Sequence, residues 1–322
     1  MRRILILRGG ALGDFLVTLP ALGLLRRRWP DAHIALAGNA RAAVLGRIGG
    51  FLDSVHSQDE ARWTALLNPP PLPEALASWL AEFDLVVSCW PDPDDAIARH
   101  FPLREGQQYL AGSARPVVAP AARHFCEILS SLAIGTGDFQ SRLPAGSFPI
   151  SLLPPGCVAL HPGSGSARKN WPLSNWLAII RRLAPEQPLL LVLGEAEMAT
   201  WSEIAGEPLK PGIGEIQVAG FPLRAAVSTP LPELAGALAR CRLFLGHDSG
   251  VSHLAAALGA PCILLFGPTD PSMWGPPGPG VEIISRGASL DSIPSAEVLG
   301  AIARNLRNGG DGGRYRTRTC DP

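Results

Sequence analysis

Phe244-Leu-Gly-His-Asp-Ser-Gly-Val-Ser-His-Leu-Ala-Ala-Ala-Leu-Gly-Ala-Pro-Cys-Ile-Leu-Leu-Phe-Gly-Pro-Thr-Asp270 reads as strand, polar turn, short helix, glycine stop and second strand. Asp248 and Ser249 are helix N-cap types, and Gly259 with Pro261 ends the helix. Backbone N–H groups of Gly250 and Val251 are then left unsatisfied at a helix start whose dipole favours negative charge, which suits a phosphate or diphosphate. The same turn also fits a plain βαβ connection in which Asp248 and Ser249 only cap the helix.

Outward from this block, short apolar runs alternate with helical patterns. In the first half, Ile4–Leu7 is a strand, Gly9–Asp14 a glycine-rich turn, and Phe15–Trp29 a single helix that tolerates Pro20 in its early part. His33–Ala37 and Leu85–Ser88 continue as strands. Residues 135–155 turn irregular and rich in Gly, Pro and Ser, and a second series opens at Cys157–Leu160. That series continues through strands at Leu189–Leu193, Glu215–Val218 and Leu243–Gly246, with helices from Ser174, near Glu197 and over Pro232–Ala239. The expectation is an α/β protein of two Rossmann-like, doubly wound domains, residues 1–150 and 151–308, with a ligand in the cleft beyond the carboxyl ends of the strands. A last helix over 295–306 is expected to pack back on the first domain, and residues 309–322 to be a disordered tail or an artefact of the reading frame.

Composition narrows the function classes. The chain has 322 residues, 47% hydrophobic and 17% charged, enough for two cores, and a formal net charge of +0 offers no field toward nucleic acid or an anionic membrane. Arg26-Arg27-Arg28 is its compact basic cluster, read as a helix end and alternatively as a membrane or acidic-acceptor contact. Six scattered cysteines without a C-x-x-C pair read as reduced core residues of a cytosolic protein. The Ile4–Leu7 run is too short for a signal peptide, and no run is long enough to span a bilayer, so a cytoplasmic, soluble or at most peripheral protein is expected.

Several chemistries lack their signatures. Gly9-Gly10-Ala-Leu-Gly13 is not a dinucleotide fingerprint, the loop His161–Pro172 is not a Walker A loop, and no G-x-S-x-G elbow occurs. His247 and His253 stand six apart with no partner at metal spacing, so no metal is expected. What remains is Asp14 at the mouth of the first strand, either a general base or a helix N-cap, and Lys169, which ends a Gly/Ser loop as one of two lysines in an arginine-rich chain. A compact ammonium there suits contact with phosphate.

Gly13-Asp14 with Leu19-Pro20-Ala21, His161-Pro-Gly-Ser with Lys169-x-Trp171-Pro172, and Asp248-Ser-Gly-x-x-His253 followed by Phe266-Gly-Pro-Thr-Asp270 together resemble the ADP-heptose:lipopolysaccharide heptosyltransferases of glycosyltransferase family 9. The resemblance runs over nearly all of residues 1–308 and implies the GT-B architecture, with the acceptor on the first domain and the sugar nucleotide on the second. It implies an inverting, metal-independent transfer of heptose from ADP-heptose, a substrate and not a cofactor, to a hydroxyl of a lipid-linked lipopolysaccharide core, at the cytoplasmic face of the inner membrane. Asp14 becomes the catalytic base by its place in the family motif. Lys169, Ser249, Gly250, Val251 and His253 become the donor phosphate site, and Asp248 and Glu197 contact donor sugar or ribose. His247, Gly9-Gly10 and Val17 depart from the family pattern, which leaves the acceptor open. Rival readings are another nucleotide sugar, a protein acceptor, a non-catalytic nucleotide-sugar binder and a GT-B-fold epimerase.

Overall fold

The computed structural model describes residues 1–135, 137–149 and 155–308; the expected tail falls outside them. In the first half the order is β1 (Arg3–Arg8), α1 (Leu12–Leu16), α2 (Leu19–Arg28), β2 (His33–Gly38), α3 (Ala40–Ile48), β3 (Ser54–Ser57), α4 (Glu74–Leu80), β4 (Leu85–Ser88), α5 (Ala96–His100), β5 (Gln108–Ala111) and α6 (Ala121–Glu127). These strands form one parallel sheet in the order β3-β2-β1-β4-β5. The second half runs β6 (Val158–His161), α7 (Leu173–Leu183), β7 (Leu189–Leu193), α8 (Met198–Ala205), β8 (Gly212–Val218), β9 (Phe221–Val227), α9 (Leu231–Leu238), β10 (Leu243–His247), α10 (Gly250–Ala257), β11 (Cys262–Phe266), α11 (Pro271–Trp274), β12 (Val281–Ser285) and α12 (Ser295–Asn308). Its seven strands order as β12-β11-β10-β6-β7-β9-β8, with β8 alone antiparallel to its neighbour. Central strands such as β10 and β11 are apolar and buried on both faces, as parallel strands covered by helices on each side must be.

The single helix expected over 15–29 is two. Proline 20 has no N–H for the Leu16 carbonyl, so α1 stops at Leu16 and α2 restarts with Pro20 in its first turn. The freed Leu16 carbonyl instead accepts the Ser141 hydroxyl at 2.7 Å. That bond ties the connecting segment to the first half. On the other side, Leu143 N donates to Ala257 O at 2.7 Å, and Gly236 leaves room for the Pro149 carbonyl.

β3, β5 and β9 were not legible as strands. β3 and β5 are edge strands of mixed polarity and partial burial, so they lack the apolar run that marks the centre of the sheet. β9 pairs with β8 through Ala219-Gly220, both with positive φ, the backbone of a two-residue hairpin turn. The last helix corrects a further expectation. Instead of returning to the first half, α12 buries Val298, Ala301 and Ile302 in the core that holds Trp171, Trp176 and Leu243, and Arg242 donates to Leu306 O at 2.5 Å. Its apolar stripe packs on the face of the second sheet that carries Leu243, Leu245 and Ile263. The cysteines at 89, 126, 157, 241 and 262 are buried and free, and burial pushes the Cys126 and Cys262 thiols up to about 12, so they stay protonated packing residues. Among the described residues no helix is long and apolar enough to cross a membrane.

Candidate functional site

α1 and α10 meet at their first turns, which brings the two halves together at the turns singled out by sequence. A Cβ on Gly250 would stand 2.8 Å from Leu12 Cβ and 3.0 Å from Gly13 N, so only glycine permits this approach. Gly13 is less constrained, with 3.6 Å to Gly250 Cα. Gly250→Ala is therefore expected to cost about 1–3 kcal/mol by overpacking the contact. Gly13→Ala, in contact range and inside a helix, is expected to be neutral or to gain up to about 1 kcal/mol. Urea unfolding of the two variants distinguishes them.

Ser249 is the N-cap of α10, and its hydroxyl accepts from Ser252 N at 3.2 Å. Gly250 N and Val251 N have no hydrogen-bond partner among the described residues, as expected for the first turn. Asp248 is the residue around which the charges gather. Its Oδ2 takes Lys169 Nζ at 2.7 Å, and its Oδ1 lies 3.9 Å from His253 Nε2. The carboxylate is 9% exposed against 30% for the lysine side chain, so Lys169 shields a largely buried charge while keeping one side open. Burial pushes the His253 pKa down, opposed by the Asp248 and Asp14 carboxylates and reinforced by Lys169, so the ring is held toward neutrality. His253 also packs across the interface, its Cδ2 at 3.7 Å from the Cβ position of Gly13.

Asp14 is not an N-cap. Ala11 occupies that place, and Asp14 stands three residues on, where its Oδ2 accepts Ala11 N at 2.9 Å in the manner of a capping box. Its Oδ1 pairs with Arg8 Nη2 at 3.1 Å. Arg8, at the end of β1, is 4% exposed in its side chain and lies over the Phe125 ring at 4.5 Å, while the Asp14 side chain keeps 35% of its surface open. Sequence reading missed Arg8 because nothing local separates a buried guanidinium at a strand end from a solvent-facing one.

Asp14, Lys169, Asp248, Ser249, Gly250, Val251 and His253 thus collect at one inter-domain seam, whereas Glu197 stands apart. Glu197 Oε2 accepts Gly194 N at 2.8 Å, its carboxylate fills the space left by the missing side chain of Gly163, and it lines a pocket of about 410 Å3 with Ser164, Asn170 and Trp176. A larger pocket, about 640 Å3, lies between the halves. Leu12, Asn39 and Arg41 line it from the first, Gly194, Ser228 and Thr229 from the second, at the carboxyl ends of β7 and β9. The Thr229 hydroxyl there is buried with no partner among the described residues.

His247, expected near the donor, lies instead beneath the 161–171 loop with no exposed surface. Its Nε2 accepts Trp171 N at 2.9 Å, which leaves Nδ1 as the N–H that donates to Gly163 O at 3.3 Å. One neutral ring thereby pins both ends of the loop that carries Lys169. Burial drives its pKa down from 6.5 to about 3. His247→Ala leaves Trp171 N without a partner in the interior and is expected to cost about 1–3 kcal/mol, with weaker ligand retention by the loop, readable by urea unfolding and titration calorimetry.

Acid sensitivity follows with a definite sign. His161, which donates to Val192 O at 2.9 Å, also has a pKa lowered by burial, as do His247 and His253. Unfolded histidines bind protons below about 6.5 and these folded ones do so only at lower pH, so stability is full above pH 6.5 and falls as pH drops below it. Urea midpoints between pH 7 and 5 are expected to decline, and to decline less in His247→Asn.

Residues 138–294 match the family model of Glycosyltransferase family 9 (heptosyltransferase). Lipooligosaccharide heptosyltransferase 2 of Haemophilus influenzae is 29% identical over 153 residues, 48% of this chain and 39% of that protein. Lipopolysaccharide heptosyltransferase 1 of Salmonella typhimurium is 32% identical over 135 residues, 42% of this chain and 39% of its own length. The alignments with these two curated relatives therefore span well under half of each. In fold, the chain superposes with a TM-score of 0.72 on a glycosyl transferase family 9 structure from Veillonella parvula, at 18% identity over 95% of this chain and 98% of that one. E. coli heptosyltransferase WaaC, solved with ADP, gives 0.71 at 20% identity over 94% of this chain and 99% of that one. The two parallel-sheet α/β halves have the GT-B fold of these structures, and over residues 138–294 the chain matches glycosyltransferase family 9.

Proposed function

We propose that the protein is an inverting, metal-independent glycosyltransferase that moves a heptose from ADP-heptose to a hydroxyl of a lipopolysaccharide core acceptor. The observation that carries this reading is the meeting of Asp14 from one half with the open helix start and Lys169 of the other. The donor diphosphate would sit at Ser249, Gly250 N and Val251 N, with the Lys169 ammonium beside it, where the helix dipole and cation stabilise the charge that develops as the sugar leaves. Asp14 would take the proton of the acceptor hydroxyl. Its oxygen then bonds the anomeric carbon from the face opposite the breaking bond to the diphosphate, which gives inversion. His253, held toward neutrality, would donate to a phosphate oxygen, and Asp248 would orient Lys169 and meet donor hydroxyls.

The inter-domain pocket at the ends of β7 and β9 suits the donor's nucleoside, and the unpartnered Thr229 hydroxyl supports that placement. Glu197 would reach ribose from the neighbouring pocket. In this reading residues 1–150 hold the acceptor and residues 151–308 the donor, and the enzyme works at the cytoplasmic face of the inner membrane, where a lipid-linked acceptor would bring it. Titration calorimetry with ADP-heptose, ADP and UDP-glucose, each with chelator, tests donor class and metal independence together. Selective binding of the adenine compounds is expected; a preference for UDP-glucose, or binding only with metal, overturns the assignment.

A further inference from the structure

A cavity of about 650 Å3 opens beyond the carboxyl ends of β4 and β5, built from the first half alone. Its wall includes Ser88, Trp90, Asp92, Asp95, Tyr109 and Arg115. Arg8 links this wall to the reacting centre: Nη1 donates to Ala114 O at 3.4 Å on the cavity side, and Nη2 to the Asp14 carboxylate at 3.1 Å on the other. Cavity and candidate base are therefore one guanidinium apart. Trp90 closes the same distance from a second direction, its ring 3.7 Å from the Cβ position of Gly9 in the turn that carries Asp14.

The lining has the chemistry of a sugar site. Trp90 packs edge-on against Trp63 at 5.4 Å and is fixed by it, which leaves a rigid indole at the cavity edge. The Tyr109 hydroxyl is buried and has no partner of good geometry among the described residues; Ser88 lies beside it but outside hydrogen-bond geometry. A ligand hydroxyl would satisfy it. Charge then selects among sugars. Two carboxylates, Asp92 and Asp95, face a single guanidinium, Arg115, on the lining. Asp92 is fixed by accepting Ile97 N and Ala98 N at 3.0 Å each, and Asp95 is exposed in a left-handed backbone at φ 53. The remaining cation, Arg8, is already neutralised by Asp14. An anionic ring would enter against net negative charge, whereas hydroxyls can donate to both carboxylates.

We propose that this cavity binds the acceptor at the point of transfer as an uncharged pyranose ring, stacked on Trp90 and hydrogen-bonded by Asp92, Asp95 and Tyr109. The proposal rests on the glycosyltransferase reading for its meaning, yet its test does not require turnover. Methyl α-D-mannopyranoside and methyl α-D-glucopyranosiduronate are titrated into the full chain, with and without ADP, by saturation-transfer NMR. The neutral glycoside is expected to bind about tenfold more tightly than the uronate, and Trp90→Ala to weaken it about tenfold, with Trp90→Phe restoring most of the loss. Asp95→Asn, which tolerates the left-handed backbone, is expected to narrow the gap between the two probes. Equal or tighter uronate binding, no binding of either glycoside, or neutral-glycoside binding indifferent to Trp90→Ala each overturns the proposal. Failure of ADP to bind while the neutral glycoside still does would instead count against the donor reading alone.

Discussion

Asp14→Asn is expected to lower kcat by about 10²–10⁴-fold while ADP binding stays within a factor of about two, because the substitution removes a base and leaves the donor site untouched. The variant is chosen for what it keeps. Asparagine Oδ1 can still accept Ala11 N, so the first turn of α1 retains the bond that Asp14 Oδ2 makes now. It cannot neutralise Arg8, whose guanidinium is buried, so a stability loss on the order of 1–3 kcal/mol accompanies the loss of turnover. Circular dichroism and urea unfolding separate the two effects. A variant that folds, binds ADP and still turns over within tenfold of the parent would sink the base assignment. A variant that no longer binds ADP would mean that Asp14 acts through the seam between α1 and α10, where Gly13 and Gly250 touch.

The second large effect is expected at Lys169. Lys169→Ala removes the cation at the place where the leaving diphosphate gathers charge and is expected to reduce kcat by about 10²–10³-fold, with a smaller rise in donor KM. The free protein also feels the change. Asp248 loses the partner at 2.7 Å that compensates its burial, and His253, at 3.9 Å from the same carboxylate, is the neighbour that remains. With Lys169 gone, one of the influences that lowers the His253 pKa is removed, and the ring's pKa should rise. A pH-rate profile of the variant is therefore expected to change shape as well as height, and NMR titration of His253 checks the cause. Lys169→Arg should not restore full activity, since a planar fork does not reproduce a compact ammonium held against one carboxylate oxygen. Full activity in either variant would remove Lys169 from the mechanism and leave the backbone amides of α10 as the anion site.

Much of the site was legible because its parts are local. The Ser249 cap, the open amides of Gly250 and Val251 and the loop ending at Lys169 each follow from a few adjacent residues. Arg8, Thr229 and the pairing of Lys169 with Asp248 were not legible, since each depends on chain segments far apart in sequence. His247 shows the difference best. Its position in the motif placed it near the donor, yet whether it faces a ligand or the interior depended on where the 161–171 loop crossed β10.

By itself the sequence determined the alternation of buried strands and helices, hence two parallel-sheet halves, because continuous apolar runs can be satisfied only between helical layers. It also determined the start of α10, where the Ser249 cap and Gly250 act within a single turn. Only the tertiary structure decided that α12 covers the second sheet, that the Leu16 carbonyl freed by Pro20 goes to Ser141, and that Asp14 and His253 come together across a seam. Those outcomes depend on packing between surfaces whose residues are scattered along the chain, and local propensity carries no information about which of several apolar faces will meet.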